Sequence, residues 1–292
     1  MLSHDSTGAG EPATDALACY DRTDADALAA AVSPSVGKLG RAAGQNRRGG
    51  YRLLPAGDTA LVVEFGERID RHLSAQVLAL ARRLSELRLD GLIETVPSFR
   101  SLMVHFDPLV LSVEALGARI DALLGASRTT ETAGRKWRLP VCYDVSLAPD
   151  LEDVAARTGM SPDEVVERHS RVNYYVYMLG FLPGMAYLGD LPPELALPRR
   201  ANPRLKIPAG SLAIANTMTS ILPQETPCGW HVIGRSPVAF FDLDPVPQAL
   251  LAPGDTVAFT PVSLREFETL SKQPAAERLR IVLPQGAIGA AA

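Results

Sequence analysis

At 292 residues, 47% of them hydrophobic, the chain is long enough to bury one large core or two ordinary ones, and two domains are expected. Its 29 basic and 33 acidic side chains leave a formal net charge of −4, which lacks the global basic excess of a nucleic-acid binder, so any basic function is local. No stretch approaches the roughly 18–20 uninterrupted apolar residues of a membrane span, which excludes a spanning helix.

Residues 1–49 are rich in Ala, Gly, Ser, Thr and Asp, and their few small apolar side chains do not offset ordering entropy, so a disordered arm is expected, with a marginal helix over Asp15–Val32. The N-terminus has neither a positive n-region nor an apolar h-region, so no signal peptide is read there. From Tyr51, YRLLPAGDTALVVEF reads as two strands around the turn residues Gly57 and Asp58. Asp70 then caps a helix with Leu73, Val77, Leu80, Leu84 and Leu87 on one stripe, stopped by Gly91. LIETVPSFRSLMVHFDP supplies one or two further strands; in the second, Leu102, Val104 and Phe106 alternate with Met103 and His105. Ser112 starts a second amphipathic helix with Leu116, Ile120 and Leu123. The order ββαββα predicts a compact ferredoxin-like α/β sandwich over residues 50–126, followed by a Ser/Thr-rich linker over 127–135.

The second domain, 136–284, opens with the strand KWRLPVCYD and two short helices, the second announced by Ser161, Pro162 and Glu164 as N-cap, first-turn proline and capping-box partner. Short strands broken by Gly and Pro follow: YYVYML, SLAIAN, WHVIG, VAFF and TVAFTPV, the spacing of a small β-barrel or sandwich. Ser263 and Glu266 offer another capping box and a terminal helix; residues 285–292 are expected to fray. The fold class is therefore α+β.

The stretch from Asn173 to Trp230 follows neither helical nor strand periodicity and concentrates aromatics, glycine, proline and four cations. Arg199, Arg200, Arg204 and Lys206 are interleaved with Pro198, Pro203 and Pro208, which favour extended backbone and hold the cations on a stiff ribbon suited to carboxylate or phosphate. The turns at Gly180–Gly184 and Cys228–Trp230, the latter with Gly229, offer backbone N–H groups to an anion. Gln224, Glu225 and His231 stand nearby, with Glu225 and His231 as candidate proton acceptors, and His169 precedes the aromatic strand. The five histidines are scattered, with no pair at i, i+3 or i, i+4, and Cys19, Cys142 and Cys228 form no CxxC; no metal site is expected and a reducing, cytoplasmic compartment is. There is no P-loop, no GxGxxG after a strand and no GxSxG elbow.

The stretches YYVYMLGFLPGMAYLGDLP after His169, PRRANPRLKIPAGSLAIA, ILPQETPCGWHVIGRSPVAFFD and LLAPGDTVAFTPV cover nearly all of residues 169–262. There the sequence resembles the family of 5-oxoprolinase B subunits, also called allophanate hydrolase subunit 1 or kinase A inhibitor, of the carboxyltransferase domain, subdomain C and D, type. The resemblance implies a cyclophilin-like β-barrel in the second domain. It also implies a heteromer with a homologous companion, the C subunit, and a third chain, the A subunit, cleaving 5-oxo-L-proline to L-glutamate with ATP as co-substrate and Mg2+. Arg199, Arg200, Arg204 and Lys206 match the family's basic segment; Arg204 and Lys206, with the nearby Glu225 and His231, are the candidate catalytic residues. Arg199, Arg200, Gly184, Gln224, Gly229, Trp230 and His169 are the candidates for substrate or phosphate binding, with backbone around Gly229 as a candidate source of donors. The sequence departs from the pattern at Met185 and Ala186, where Phe and Pro are usual, at Ala215 and Asn216 for glycine, at Leu222 for tyrosine and at Cys228 for glycine. Two alternatives within the resemblance are an inhibitor of a sensor histidine kinase and a carboxyltransferase or urea amidolyase-type protein that works on carboxybiotin; the chain has no MKM carrier motif of its own.

Overall fold

The computed structural model describes residues 50–126, 134–243 and 248–274, all within one compact unit. The expectations for the arm, for residues 127–133 of the linker and for the frayed C-terminus lie outside these residues.

In the N-terminal part, β1 (Arg52–Pro55) and β2 (Ala60–Glu64) form a hairpin, followed by α1 (Arg71–Leu87), β3 (Leu92–Pro97), β4 (Ser101–Phe106) and α2 (Val113–Gly125). Both helices start where a side-chain oxygen meets otherwise unpaired amides: the Asp70 carboxylate accepts from His72 and Leu73 at 2.8 and 3.2 Å, and Ser112 accepts from Ala115 at 3.2 Å. Of the predicted α1 stripe, Val77, Leu80 and Leu84 are buried while Leu87 is exposed. The stop differs from the expected one. Arg88 takes the left-handed cap at φ 45°, and Gly91, at φ 84°, serves the next turn instead, where a Cβ would lie 2.8 Å from that of Leu111.

The four strands lie in the order β1-β2-β4-β3, each pair antiparallel, so β2 and β3 run parallel on either side of β4. That is one split β-α-β unit; the remaining edge is held by β1, which precedes the unit in the chain. Leu102, Val104 and Phe106 point into the core with Leu116 and Ile120 of α2, and Met103 and His105 are half-exposed on the opposite face.

The second part runs β5 (Lys136–Val141), α3 (Leu151–Thr158), α4 (Pro162–Ser170), β6 (Asn173–Leu179), β7 (Ala186–Gly189), β8 (Arg204–Ile207), β9 (Ser211–Ala215), β10 (Met218–Ile221), β11 (Thr226–Cys228), β12 (His231–Arg235), β13 (Thr256–Pro261) and α5 (Leu264–Ser271). Both capping boxes close: Ser161 with Glu164, and Ser263 with Glu266. Seven strands make one sheet in the order β12-β9-β10-β7-β6-β13-β5, antiparallel except for β13 against β5. The sheet curls until its two edges meet. Cys142, just after β5, exchanges backbone hydrogen bonds of 2.9 and 2.8 Å with Arg235 of β12, so neither edge is left open at that point. Leu139, Val176, Leu188, Ile214, Ile233 and Val257 fill the interior and are fully buried.

Two strand expectations change. VAFF (238–241) forms only an isolated bridge, Phe241 to Ala249, and no strand. Conversely β7, β8, β10 and β11 are not among the expected strands; they are three or four residues long, and Gly189 in β7, Thr219 and Ser220 in β10 and Pro227 in β11 blur any alternating pattern, while β8 is too short for its alternation to register.

Candidate functional site

The cationic segment folds into a small ribbon outside the barrel sheet. β8 pairs antiparallel with β11, Thr226 opposite Ile207 and Cys228 opposite Arg204, with an irregularity between them. Upstream, the Arg200 amide donates to the Gly229 carbonyl at 2.8 Å. The basic loop is thus zippered to the Cys228–Trp230 turn, bringing together two features well separated along the chain. Strand alternation sets Arg204 and Lys206 on one face of the ribbon and Leu205 on the other, where it is 85% exposed.

What anchors this ribbon is Asp150, which no sequence pattern singles out. It precedes α3 but its side chain caps nothing there. The buried carboxylate instead receives Arg200 on one oxygen and Arg204, at 2.5 Å, on the other, together with the Val232 amide at 2.8 Å. One negative charge is therefore shared between two guanidinium groups. Arg200 Nε is buried with no hydrogen-bond partner among the described residues. An aspartate after a proline and before a helix looks like an ordinary N-cap, and the pairing spans 50 and 54 residues, so no local signal reveals it.

The other expected site residues divide. Arg199 is exposed and has no ion-pair partner among the described residues; it lies close enough to Tyr187 and Cys228 to favour their anionic forms, although burial, the larger effect, raises both. Trp230 packs edge-on against Tyr187, ring centroids 6.1 Å apart, and its amide donates to Cys228 Sγ at 3.3 Å. Lys206 pairs with Glu225 at 2.9 Å; both are largely in solvent, as is Gln224, so this pair is weak and easily exchanged. Gly229 has room, a Cβ there meeting nothing nearer than Pro203 at 3.7 Å.

His231 is buried, and its Nε2 lies 3.0 Å from the Pro198 carbonyl, which can only accept, and 3.5 Å from Arg157 Nη1, which can only donate; the shorter contact assigns the proton to Nε2, which pins the start of the basic loop. Its Nδ1 faces Asp153 at 3.7 Å.

Two expected residues are placed away from the ribbon. His169 is fully buried among aromatics, stacked on Phe259, with Nδ1 3.0 Å from the Tyr143 hydroxyl and Nε2 3.1 Å from Thr219 Oγ1. Burial lowers its pKa to about 3, so it is a neutral core residue. Gly184, at φ 75°, lies where a Cβ would stand 2.7 Å from the Phe240 carbonyl oxygen, a packing requirement independent of any ligand.

Beside the ribbon is a cavity of about 200 Å³ lined by Ser146, Pro149, Arg204, Lys206, Ser211 and Arg235, among others, with no Asp or Glu in its lining. Arg235 is half-buried: its Nε donates to the Ala209 carbonyl at 2.8 Å and its guanidinium lies 5.9 Å from the Phe267 ring centre. Burial lowers its pKa, the direction that reports the cost of keeping this charge partly out of water. Among the described residues no group of three or more His, Cys, Asp and Glu is placed to hold a metal, and no helix is long and apolar enough to cross a membrane.

Comparison with known proteins agrees with this architecture. The family described as carboxyltransferase domain, subdomain C and D, matches residues 51–251. The chain is similar to the 5-oxoprolinase B subunit of Bacillus subtilis (strain 168), 36% identical over 234 residues, covering 76% of this chain and 98% of that one. It is similar to the 5-oxoprolinase B subunit of Escherichia coli O157:H7, 38% identical over 211 residues, covering 72% and 95%. Among solved structures, TTHA0988 superposes with a TM-score of 0.63 at 34% identity, covering 70% of this chain, which spans only 40% of TTHA0988. The Kluyveromyces lactis urea carboxylase shares the fold, TM-score 0.66 at 20% identity over 78% of this chain and 23% of its own. With the family match spanning most of the chain and both 5-oxoprolinase relatives matched almost end to end, the chain belongs to the carboxyltransferase domain, subdomain C and D, family.

Proposed function

We propose that this chain is the B subunit of an ATP-dependent 5-oxoprolinase, cleaving 5-oxo-L-proline to L-glutamate in the cytoplasm together with a homologous C subunit and a third, the A subunit. The observation that carries this reading is its similarity to two 5-oxoprolinase B subunits over at least 95% of their lengths. The two parts of the described fold correspond, in this reading, to a ferredoxin-like domain over 50–126, with β1 in place of a C-terminal edge strand, and a cyclophilin-like barrel over 136–284.

A lactam is a poor electrophile, and ATP supplies the phosphoryl group that converts its oxygen into a leaving group. The nucleotide, with about 30 heavy atoms, does not fit a cavity of about 200 Å³, so neither it nor Mg2+ is assigned to this cavity. The chain's own contribution is positive charge held near the reacting anion. Lys206 and Arg199 are the cations available for that role: Lys206 is tied only to solvent-exposed Glu225, and Arg199 to no carboxylate among the described residues. When Lys206 turns to an anion, Glu225 is released as a proton acceptor for the attacking water. Arg200 and Arg204 hold the ribbon on Asp150 and act mainly by position, as does His231 through Pro198.

The test is ATP-dependent glutamate release from 5-oxoproline by the co-purified complex, with each of its proteins omitted in turn. Activity must vanish without this chain. Arg199→Ala and Lys206→Ala, both at exposed positions, should lower kcat at least tenfold with assembly intact; unaltered turnover in both would refute their assignment.

A further inference from the structure

We propose that the cavity between β8, β12 and the loop before α3 binds the carboxylate of 5-oxoproline, with Arg235 as its anchoring residue. The proposal rests on the 5-oxoprolinase reading and assigns the substrate to a part of this chain.

Arg204, Lys206 and Arg235 line the cavity and no carboxylate does. Asp150, behind it, already serves both Arg200 and Arg204, and Glu225 meets Lys206 on the solvent side, 53% exposed. Arg235 has no ion-pair partner among the described residues, although it is half-buried. Cations removed from water are ordinarily paired, so the surplus around this cavity calls for an anion from outside.

Geometry narrows the anion. Arg235 is held from two sides, by its Nε–H bond to Ala209 and by the Phe267 ring, and its terminal nitrogens have no hydrogen-bond partner among the described residues. A guanidinium fixed at Nε with its terminal N–H groups free is suited to recognising a carboxylate oxygen by oxygen. The volume admits a molecule of about nine heavy atoms, the size of 5-oxoproline, but not a nucleotide about three times larger. Lys206, mostly exposed, stands at the rim, so the cavity that holds the carboxylate is contiguous with a cation assigned to the reacting end.

Calorimetry on the assembled complex without ATP tests this directly, comparing 5-oxoproline with 2-pyrrolidinone, the same ring lacking the carboxylate. Arg235→Gln should weaken 5-oxoproline binding at least tenfold and leave 2-pyrrolidinone unchanged, and KM should rise by the same factor with kcat within twofold. Arg235→Lys should recover part of the loss. Because Arg235 also packs on Phe267, Lys206→Glu, at the exposed rim, gives a second variant that should weaken binding without touching the core. An unchanged Kd for 5-oxoproline in both Arg235→Gln and Lys206→Glu, or no binding by the wild-type complex, overturns the proposal. So does weakened assembly of the complex in Arg235→Gln with the 5-oxoproline Kd preserved, which would assign the cavity to a carboxylate of a companion protein. Binding without ATP-dependent glutamate release would instead refute the 5-oxoprolinase reading and leave the carboxylate site standing. ATP-dependent glutamate release by the wild-type complex, with Kd and KM unmoved in Arg235→Gln, would do the reverse.

Discussion

Asp150 carries two guanidinium groups and a backbone amide on one buried carboxylate, so its removal strands charge as well as breaking hydrogen bonds. Asp150→Asn keeps the shape and removes the charge. The expected cost is about 3 kcal/mol, the lower part of the range for breaking a buried ion pair, since Arg200 and Arg204 retain some exposure; urea unfolding of this chain measures it. The same geometry explains why Arg204→Ala is a poor probe of catalysis, as it would loosen the ribbon along with any ligand. At His169 the prediction concerns pH. Its folded pKa, about 3, lies below the ordinary value near 6.5, so between these values the unfolded chain binds a proton that the folded chain refuses. Its effect is absent above pH 6.5, and stability is lost as pH falls from there toward 3, by up to about 1.4 kcal/mol per pH unit for one proton. His169→Gln should be less stable at neutral pH by about 1–3 kcal/mol, because Tyr143 and Thr219 lose an ideal partner. The part of the wild-type pH slope between 6.5 and 3 that belongs to His169 should disappear from its urea midpoints; an identical slope in both proteins would contradict a neutral buried imidazole.

At the scale of elements, the two glycines expected at the site respond to opposite tests. Gly184 occupies a left-handed turn against the Phe240 carbonyl, with no room for a methyl group, whereas a methyl group at Gly229 would meet only Pro203 and Arg199, at ordinary contact distances. Gly184→Ala should therefore cost about 2–4 kcal/mol in thermal or urea unfolding, and Gly229→Ala less than about 1 kcal/mol, any effect of the latter appearing in the assembled enzyme's kinetics. Comparable stability losses for both would show that the two turns are alike after all. The elements legible in the sequence are those announced by local chemistry. Asp70, Ser112, Ser161 and Ser263 each begin a helix because a side-chain oxygen satisfies amides within three residues, a purely local arrangement. The short strands β7, β8, β10 and β11 are not legible, because their pairing depends on partners brought alongside in space, in the barrel sheet for β7 and β10 and in the separate ribbon for β8 and β11, rather than on their own alternation.

On the scale of the molecule, the N-terminal part meets the barrel through a few polar links and an aromatic contact. Arg71 of α1 reaches Asp190 at 2.9 Å and the Asn173 carbonyl at 3.0 Å, and Phe99, between β3 and β4, lies between Tyr177 and Tyr187. The ion pair is 49% and 38% exposed, so Arg71→Ala should cost no more than about 1 kcal/mol, whereas Phe99→Ala should cost about 2 kcal/mol through lost ring contacts. Denaturant unfolding of the two variants decides between electrostatic and apolar docking; the reverse ranking would favour the ion pair. Tyr187 touches both Phe99 and Trp230, so this junction is continuous with the base of the cationic ribbon.

Residues a few positions apart suffice for the N-caps of α1, α2, α4 and α5, the inward face of β4, the α+β class and the segment in which the cations gather. Which of those cations are already paired depends on contacts between segments far apart in the chain. Arg200 and Arg204 are bound to Asp150 across 50 and 54 residues, His169 is enclosed in an apolar core, and Arg235, which no sequence pattern singles out, is left half-buried without a counter-charge among the described residues. The physical reason is that charge pairing and desolvation depend on distance in space, which chain closure sets and no local pattern encodes.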